Sequence, residues 1–347
     1  MTAPLLKIEG VSKRFTRHPG IVERIVGRLT GSGGTAQTVR AVTDVTLHVA
    51  EGEVVGIVGE SGCGKSTLGR IASGIYAPSD GTVTLHGKPV ARGSDGHVDK
   101  LTTQVQMIHQ DPFASLNPRM KVGETIAEGP RTHRIVAGDA IQERVRSLLE
   151  QVGLEGSYAD RLPHQFSGGQ RQRIAIARAL AMEPDLLVLD EAVASLDVSI
   201  QAQVLNLFLD LRRDLGLTAL FISHDLSVVR HVCDRVAIMY LGRIVELART
   251  EDLFASPQHP YTQALFASVP TIGTGRRAFH PIKGEIPSPI APPPGCAFHP
   301  RCPSAGPRCR IEVPRLAVPV VRAGHNRTVA CHLHDGGVTL TTTGAAA

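Results

Sequence analysis

The sequence predicts an α/β layered fold with a parallel central sheet, an inserted helical subdomain and a C-terminal extension. Short apolar runs such as Val54–Val58 alternate with amphipathic stretches, which is typical of buried parallel strands connected by helices. Between about residues 112 and 182 the pattern is mostly helical, and after Val269 the chain is rich in Pro and Gly. We therefore expect a main domain over residues 1–269, with a helical subdomain at about 112–182, and an extension over 270–347.

The individual elements follow from local patterns in chain order. Strands are predicted at "LLKIEGVSKRF", at two segments of "AVTDVTLHVAEGEVVGIVG" around a turn at Glu51-Gly52, at "PDLLVLDEA" and at "LTALFISH". Helices are predicted at "KSTLGRIASGIY", at the amphipathic "IQERVRSLLEQVGL" and at "VSIQAQVLNLFLDLRRDLG". "VAIMYLGRIVEL" predicts a hairpin turned at Leu241-Gly242. Residues 16–38 interrupt this order with a predicted short helix, "IVERIVGRL", and a flexible link, "TGSGGTAQ".

Composition narrows the class of protein. The 347 residues are 42% hydrophobic and 20% charged, which is sufficient for a globular core. No apolar run approaches the ~18 residues that a membrane helix needs, and "MTAPLLKIEG" lacks the pattern of a secretory signal. We therefore expect a soluble or peripheral protein. The net charge of +5 permits contact with anions. The sequence contains no block of like charges that would indicate a nucleic-acid partner.

Phosphate binding is predicted by "GESGCGKST", residues 59–67, which matches G-x-x-x-x-G-K-[ST] between a predicted buried strand and a helix. Glycines let backbone N–H groups surround phosphate oxygens, and the helix N-terminus adds partial positive charge. Lys65 would reach the β- and γ-phosphates, and Ser66 would bind Mg²⁺. A chance glycine-rich turn is the alternative. The predicted ATP- and Mg²⁺-binding residues of this loop are Gly59, Ser61, Gly62, Gly64, Lys65, Ser66 and Thr67.

Two further strand ends carry polar groups that suit nucleotide hydrolysis. In "LLVLDE", Asp190 would hold Mg²⁺ and Glu191 would polarise the attacking water as a general base. An acidic pair at a strand end can equally be a helix N-cap. His224, in "FISHD", would either contact the γ-phosphate or have a structural role.

A second anion site is predicted at "FSGGQRQR", where Ser167, Gly168 and Gly169 open a helix with a hydroxyl and exposed N–H groups. Two phosphate-binding helix ends in one chain indicate a head-to-tail pair of chains that share nucleotides. This stretch resembles the signature motif of ABC-transporter ATPase subunits, with Phe166 in place of the usual Leu. The resemblance implies an ABC-type P-loop NTPase fold with an antiparallel β subdomain, in which Ser167, Gly168, Gly169 and Gln170 contact the partner's ATP.

The other motifs resemble those of the same family and stand in the family's order. They are the Walker A motif at 59–67, the Q-loop at Gln110, the Walker B motif ending at Asp190 with Glu191, the D-loop Asp197 and the switch His224. The resemblance implies that Glu191, His224 and Lys65 are catalytic. Phe15 matches the aromatic residue that stacks on adenine, and a buried core Phe is the competing interpretation.

Three segments resemble, more narrowly, the ATPase subunits of dipeptide and oligopeptide importers. They are "QDPFASLNPRM", "HPYTQAL" and "GEIPSPIAPPPGCAFHPRCP". The resemblance implies ATP hydrolysis that powers import of small peptides, at the cytoplasmic face of the inner membrane. The implied partners are two transmembrane permease subunits, an extracytoplasmic substrate-binding protein and a paralogous ATPase subunit. Residues 16–38 resemble an insertion in one of two paired paralogues, so we expect a heterodimer.

Two departures and two alternatives accompany this resemblance. Ala192 stands where the family usually has Pro, and "ASLD" at 194–197 replaces the usual "SALD", so a hydroxyl that could bridge two nucleotide sites is absent at Ala194. The same importer class could carry another cargo, such as nickel or modified peptides. A soluble ABC ATPase acting in translation or DNA repair is a further alternative, but such proteins typically fuse two ATPase domains or insert a coiled coil.

Four late cysteines predict a metal site. Cys296, Cys302, Cys309 and Cys331 are separated by five, six and twenty-one residues, which fits neither zinc-module nor ferredoxin spacing. Spacing alone therefore predicts a metal of unknown kind, with buried thiols as the alternative. His299, His332 and His334 are further ligand candidates and keep Zn²⁺ possible. The resemblance implies a [4Fe–4S] cluster on the four cysteines, with a structural role expected rather than redox sensing.

Overall fold

The structure, a computed structural model, describes residues 4–17, 37–94, 97–110, 116–268, 282, 284–319 and 327–334. The helix predicted at "IVERIVGRL" and most of the link after it lie outside these residues. Among the described residues, none of the helices combines the length and apolar character needed to cross a bilayer.

The central sheet joins strands from the whole length of the chain. Its order is β13-β12-β11-β3-β10-β9-β8. The strands are β3 (Val54–Val58), β8 (Val105–Ile108), β9 (Leu186–Asp190), β10 (Thr218–Ile222), β11 (Arg235–Tyr240), β12 (Arg243–Arg249) and β13 (Thr328–Val329). The five strands from β11 to β8 are parallel, as predicted, whereas β12 and β13 are antiparallel additions at one edge. β13 belongs to the C-terminal extension, so the extension completes the main sheet.

Both faces of this sheet are covered. Along β3, Val54 and Val58 pack into one hydrophobic cluster while Val55 and Ile57 pack into another, because successive side chains of a strand point to opposite faces. All five residues of β3 are buried. This double burial explains why the strand reads as a continuous apolar run rather than an alternating one.

A second sheet covers one face. It is antiparallel, with the order β2-β1-β4-β5, and contains β1 (Leu6–Arg17), β2 (Gln37–Val49), β4 (Asp80–Leu85) and β5 (Lys88–Pro89). The predicted turn at Glu51-Gly52 is present, and it leads from β2 into β3 of the other sheet. A separate hairpin consists of β6 (Ala91–Ser94) and β7 (His97–Lys100).

Eight α-helices occur in the described part of the chain. They are α1 (Lys65–Ala72), α2 (Val122–Thr132), α3 (Ile141–Gln151), α4 (Gly168–Leu180), α5 (Val198–Leu215), α6 (Leu226–Val232), α7 (Thr250–Ala255) and α8 (Pro260–Ala267). α2, α3 and α4 form the inserted helical block, as predicted. The hairpin between β11 and β12 turns at Leu241 (φ 42°) and Gly242 (φ 80°), and such tight turns favour glycine because φ is positive.

The C-terminal extension packs against the main body. Phe298 is buried in the hydrophobic cluster that also contains residues of α2, α3 and α4. The Arg40 N–H donates to the Pro289 carbonyl of the extension at 3.1 Å. Short 3₁₀ turns at His299–Arg301, Pro307–Arg310 and His332–His334 supply its local order. The division between domain and extension at residue 269 stays a prediction, since residues 269–281 lie outside the described part.

Candidate functional site

The loop at residues 59–64 connects β3 to α1 at the carboxyl end of the parallel strands. Gly64 has φ 106°, and a Cβ there would lie 2.2 Å from the Ala41 carbonyl oxygen. A Cβ on Gly59 would lie 2.1 Å from the Met239 carbonyl oxygen. Glycine is therefore required at both ends of the loop, as the phosphate-binding motif predicts.

Lys65, the first residue of α1, supplies positive charge at this site. Its side chain is buried, and Nζ donates to the carbonyl oxygens of Gly59 at 2.8 Å and Glu60 at 3.0 Å. The ammonium is thus fixed across the loop that it belongs to. An ammonium at the N-terminus of a helix suits the terminal phosphates of a nucleotide.

Ser66 and Asp190 meet across the site. The Ser66 hydroxyl donates to Asp190 Oδ1 at 2.7 Å, and Asp190 is buried at the end of β9. A hydroxyl and a carboxylate are hard oxygen donors of the kind that Mg²⁺ prefers. The two residues predicted to hold Mg²⁺ are therefore adjacent, although they are far apart in sequence.

Glu191 and His224 follow neighbouring strands and face each other, with 3.4 Å between Glu191 Oε2 and His224 Nδ1. Glu191 adopts φ 51°, which is uncommon for a residue other than glycine, and its N–H donates to the Ile222 carbonyl at 3.0 Å. No described helix begins at Asp190 or Glu191, so the N-cap interpretation of this pair is wrong. His224 remains exposed to solvent at the mouth of the site.

The segments named as Q-loop and D-loop lie side by side. Ser195 Oγ donates to the Gln110 carbonyl at 3.4 Å. Asp197 occupies the N-cap position of α5 without accepting a hydrogen bond through its side chain, and it is exposed. Ala192 is buried, which suits its small side chain.

The predicted signature opens α4. The Ser167 N–H donates to Gln170 Oε1 at 3.0 Å and the Gln170 N–H donates to Ser167 Oγ at 3.3 Å, which is a capping box. A Cβ on Gly169 would lie 2.3 Å from Ile200 Cγ2, so glycine lets α4 approach α5 closely. Phe166 is buried and meets Tyr158 edge-to-face, with 5.6 Å between the ring centroids. No hydrogen bond in the described part of the chain links the signature to the phosphate loop of the same chain.

Phe15 lies near the end of β1 and is 37% exposed, so the core-residue interpretation of Phe15 is wrong. Its ring meets Tyr76 edge-to-face at 5.5 Å between centroids, and Lys13 Nζ lies 5.2 Å from its centroid. Tyr76 was not predicted from the sequence, since nothing in the local pattern around it indicates an aromatic neighbour for Phe15.

The four late cysteines are free thiols that influence one another. The Cys296 N–H donates to the Cys309 carbonyl at 2.8 Å, and burial raises the pKa of Cys296 and of Cys302. Burial, followed by the three neighbouring thiols, raises the pKa of Cys331 to about 11. Among the described residues, no group of three or more His, Cys, Asp or Glu side chains could hold a metal ion.

The three histidines near these cysteines each place a ring nitrogen against a backbone carbonyl. His299 Nδ1 lies 2.9 Å from the Cys296 oxygen, His332 Nε2 lies 2.9 Å from the Glu312 oxygen and His334 Nε2 lies 3.2 Å from the Gln258 oxygen. Backbone contacts therefore account for one nitrogen of each ring. Cys63 and Cys233 are buried elsewhere, and burial raises the pKa of both thiols.

Comparisons with known proteins agree with this geometry. The model of the ABC transporter family matches residues 42–194, and that of the oligopeptide/dipeptide transporter C-terminal region matches residues 245–309. The chain is 46% identical over 335 residues to the oligopeptide transport ATP-binding protein AppF of Bacillus subtilis, covering 95% of this chain and 98% of the relative. It is also 46% identical over 334 residues to a probable peptide ABC transporter ATP-binding protein of Sinorhizobium fredii, covering 96% and 91%.

Solved structures show the same fold. One is cbiO1 from Clostridium perfringens, part of the ABC transporter complex cbiONQ, with a TM-score of 0.58, 30% identity and coverage of 73% of this chain and 91% of that one. Another is a dimeric ATP-binding cassette in a post-hydrolysis state bound to ADP and Pi, with a TM-score of 0.57, 26% identity and coverage of 71% and 98%.

Proposed function

The chain belongs to the family of ABC-transporter ATP-binding proteins, in the oligopeptide and dipeptide transporter group, and from this membership we propose that it hydrolyses ATP to drive import of small peptides. The observation that carries the proposal is the convergence of three predicted groups at one sheet edge. These are the loop with Lys65, the Ser66–Asp190 pair and the Glu191–His224 pair.

Each group has a role in the proposed hydrolysis. The loop N–H groups and Lys65 would bind the β- and γ-phosphates, and Phe15 would stack on adenine. Ser66 and Asp190 would hold Mg²⁺, which supplies charge neutralisation on the phosphates. Glu191 would accept the proton of the attacking water, and His224, 3.4 Å from it, would contact the γ-phosphate. Gln110 would connect the site to the helical block.

A complete site requires a second ATPase chain. The signature residues Ser167, Gly168, Gly169 and Gln170 open α4 without a hydrogen bond to the phosphate loop of this chain, which supports their use on a partner's nucleotide. We propose that Asp197 lies at the same interface and that the partner is a paralogue. ATP would close this dimer by sharing the γ-phosphate across it, and hydrolysis would open it.

The remaining proposed partners are two permease subunits and an extracytoplasmic binding protein, with this chain bound peripherally at the cytoplasmic face of the inner membrane. A groove of about 850 Å³ between the start of β8 and α2 supports permease docking. It is lined on one side by Thr102 and Gln106 and on the other by Thr125 and Glu128. Since α2 belongs to the helical block, a permease segment bound in this groove would respond to movements of that block during the nucleotide cycle.

We also propose that Cys296, Cys302, Cys309 and Cys331 hold a [4Fe–4S] cluster. All four are free thiols, and the 2.8 Å hydrogen bond from the Cys296 N–H to the Cys309 carbonyl holds two of their segments together, which supports a common ligand. Zn²⁺ is the alternative metal for the same four cysteines. The cluster would supply a covalent cross-link for an extension with few apolar residues.

The test of the proposed function is peptide uptake by proteoliposomes that contain the whole transporter and its binding protein. With the partner's site disabled, Glu191→Gln should retain MgATP binding and lower ATP hydrolysis and uptake by about 100-fold or more, because the general base is lost. Glu251→Gln, an exposed carboxylate change on α7, is the control. Uptake at the wild-type rate in Glu191→Gln would contradict the assignment, and uptake of Ni²⁺ in place of peptide would redirect the cargo.

A further inference from the structure

The phosphate loop is in direct contact with the C-terminal extension through Glu60. Arg301 donates to both carboxylate oxygens of Glu60, from Nη1 to Oε2 at 2.8 Å and from Nη2 to Oε1 at 3.0 Å. The Arg301 side chain is only 4% exposed and that of Glu60 is 20% exposed. A bidentate pair with so little solvent is geometrically specific and weakly screened.

The backbone of the same loop residue is also held by an element outside the ATP motifs. The Glu60 N–H donates to the Tyr261 hydroxyl at 3.0 Å, and Tyr261, at the start of α8, is fully buried. The Tyr261 ring packs against Phe298 of the extension, with centroids 5.4 Å apart. Glu60 is therefore fixed at its side chain by the extension and at its amide by α8.

The charge of Glu60 acts on the nucleotide site itself. Its carbonyl accepts from Lys65 Nζ at 3.0 Å, and burial, with a smaller contribution from the Glu60 carboxylate, raises the pKa of Cys63 inside the loop. An unpaired carboxylate here would oppose binding of a phosphate anion, and removal of one partner of a nearly buried ion pair leaves such a charge uncompensated.

We propose that Arg301 is a positioning residue of the nucleotide site, which neutralises Glu60 and holds the phosphate loop in its binding geometry, so that a docked extension is a condition for tight MgATP binding. This inference rests on the proposed function, because it assigns regulation to that same site. The sequence predicts a structural role for the cluster, since the extension holds none of the ATP motifs. Arg301, one residue before Cys302, nevertheless contacts the phosphate loop.

The test compares MgATP affinity of the full-length chain with steady-state hydrolysis in the complex. Arg301→Ala should raise the Kd and KM for MgATP about tenfold or more, while kcat changes less, because the defect lies in ground-state binding. Adding Glu60→Gln should restore the Kd to within about threefold of wild type, since the uncompensated charge is then removed. Arg308→Ala is the matched control, because Arg308 also lies in the extension and forms a bidentate but exposed pair with Glu312.

The outcomes separate the inference from the proposed function. A wild-type Kd in Arg301→Ala, or an equal defect in Arg301→Ala with and without Glu60→Gln, would overturn the charge-positioning role. If Arg301→Ala loses the protease resistance of the extension, Arg301→Lys is used instead, because lysine keeps the positive charge. A Kd of Arg301→Lys for MgATP within about threefold of wild type supports the inference. A tenfold higher Kd that Glu60→Gln does not correct overturns the inference. Absence of MgATP binding in the wild-type chain would instead refute the proposed function.

Discussion

At the scale of single residues, Ser167 shows how one side chain can serve both fold and function. Its hydroxyl oxygen accepts the Gln170 N–H at 3.3 Å as part of the capping box of α4. A hydroxyl that accepts one hydrogen bond still has its O–H to donate. Ser167 is exposed, so in the proposed dimer its O–H is available to a phosphate of the partner's nucleotide. The structural and functional interpretations of this serine are compatible.

Substitution of Ser167 by Arg tests the shared-nucleotide dimer. Ser167→Arg would place a bulky cation at the exposed end of α4, so we expect unchanged MgATP affinity of this chain's own loop and loss of ATP-driven association with the partner. The lost cap should cost only about 1 kcal/mol of stability. Ser227→Arg, at the exposed start of α6, is the control. Analytical ultracentrifugation with MgATP measures dimerisation, and normal association of Ser167→Arg would refute the head-to-tail arrangement.

Motif spacing predicted the main pairings of the site, but not every contact. Ser66 and Asp190 are both predicted to hold Mg²⁺, and Ser66 Oγ lies 2.7 Å from Asp190 Oδ1. Their proximity could be predicted because the carboxyl ends of parallel strands share one edge of a sheet. The contact of Tyr76 with Phe15 and that of Arg301 with Glu60 depend on how distant segments pack, and single-residue patterns do not carry that information.

At the scale of elements, the connection between β12 and α8 depends on two buried polar residues. Glu246 is fully buried, and its carboxylate accepts from the N–H groups of Gln258 and His259, both at 2.9 Å. His259 Nδ1 in turn accepts from the Tyr261 N–H at 3.0 Å and thereby caps α8. Burial, and then the charge of His334, lower the pKa of His259 to about 3. The cap requires the neutral imidazole, because a protonated Nδ1 cannot accept a hydrogen bond.

Protonation of His259 should weaken the fold at acid pH. The pKa of His259 is about 3 in the folded chain and about 6.5 when unfolded, so the unfolded chain binds the proton more tightly. The stability contribution is complete above pH ~6.5 and decreases as the pH falls toward 3, by up to about 1.4 kcal/mol per pH unit. Urea unfolding at several pH values measures the free energy of unfolding of wild type and of His259→Asn. The asparagine keeps a capping side chain but has no titrating group. Parallel pH profiles for the two proteins would show that His259 does not titrate on unfolding.

At the scale of the whole molecule, the extension is part of the ATPase body rather than an appendage. β13 pairs with β12, so that Glu246 and Leu247 lie opposite Val329 and Thr328. The sequence predicted the extension from its prolines and cysteines, but not this strand. Two residues are too few to produce a periodic pattern. The strand with which they pair, β12, is also distant in the sequence. Long-range pairing of this kind is decided by tertiary packing, which also buries Phe298.

The four cysteines of the extension allow a direct test of the proposed cluster. If Cys296, Cys302, Cys309 and Cys331 hold a [4Fe–4S] cluster, chain purified without oxygen should be brown and contain about four iron and four sulfide per chain. Cys309→Ser should lose the colour and make residues 284–334 sensitive to protease, because a segment with little apolar content then lacks its cross-link. Cys233→Ala, which removes a buried thiol at the C-terminal end of α6, should keep the colour. Colourless protein with one zinc per chain and a protease-resistant extension would indicate a zinc site instead of the cluster.

Because Arg301 lies next to Cys302, loss of the cluster should also weaken MgATP binding. The metal site and the nucleotide site would then be coupled through Arg301.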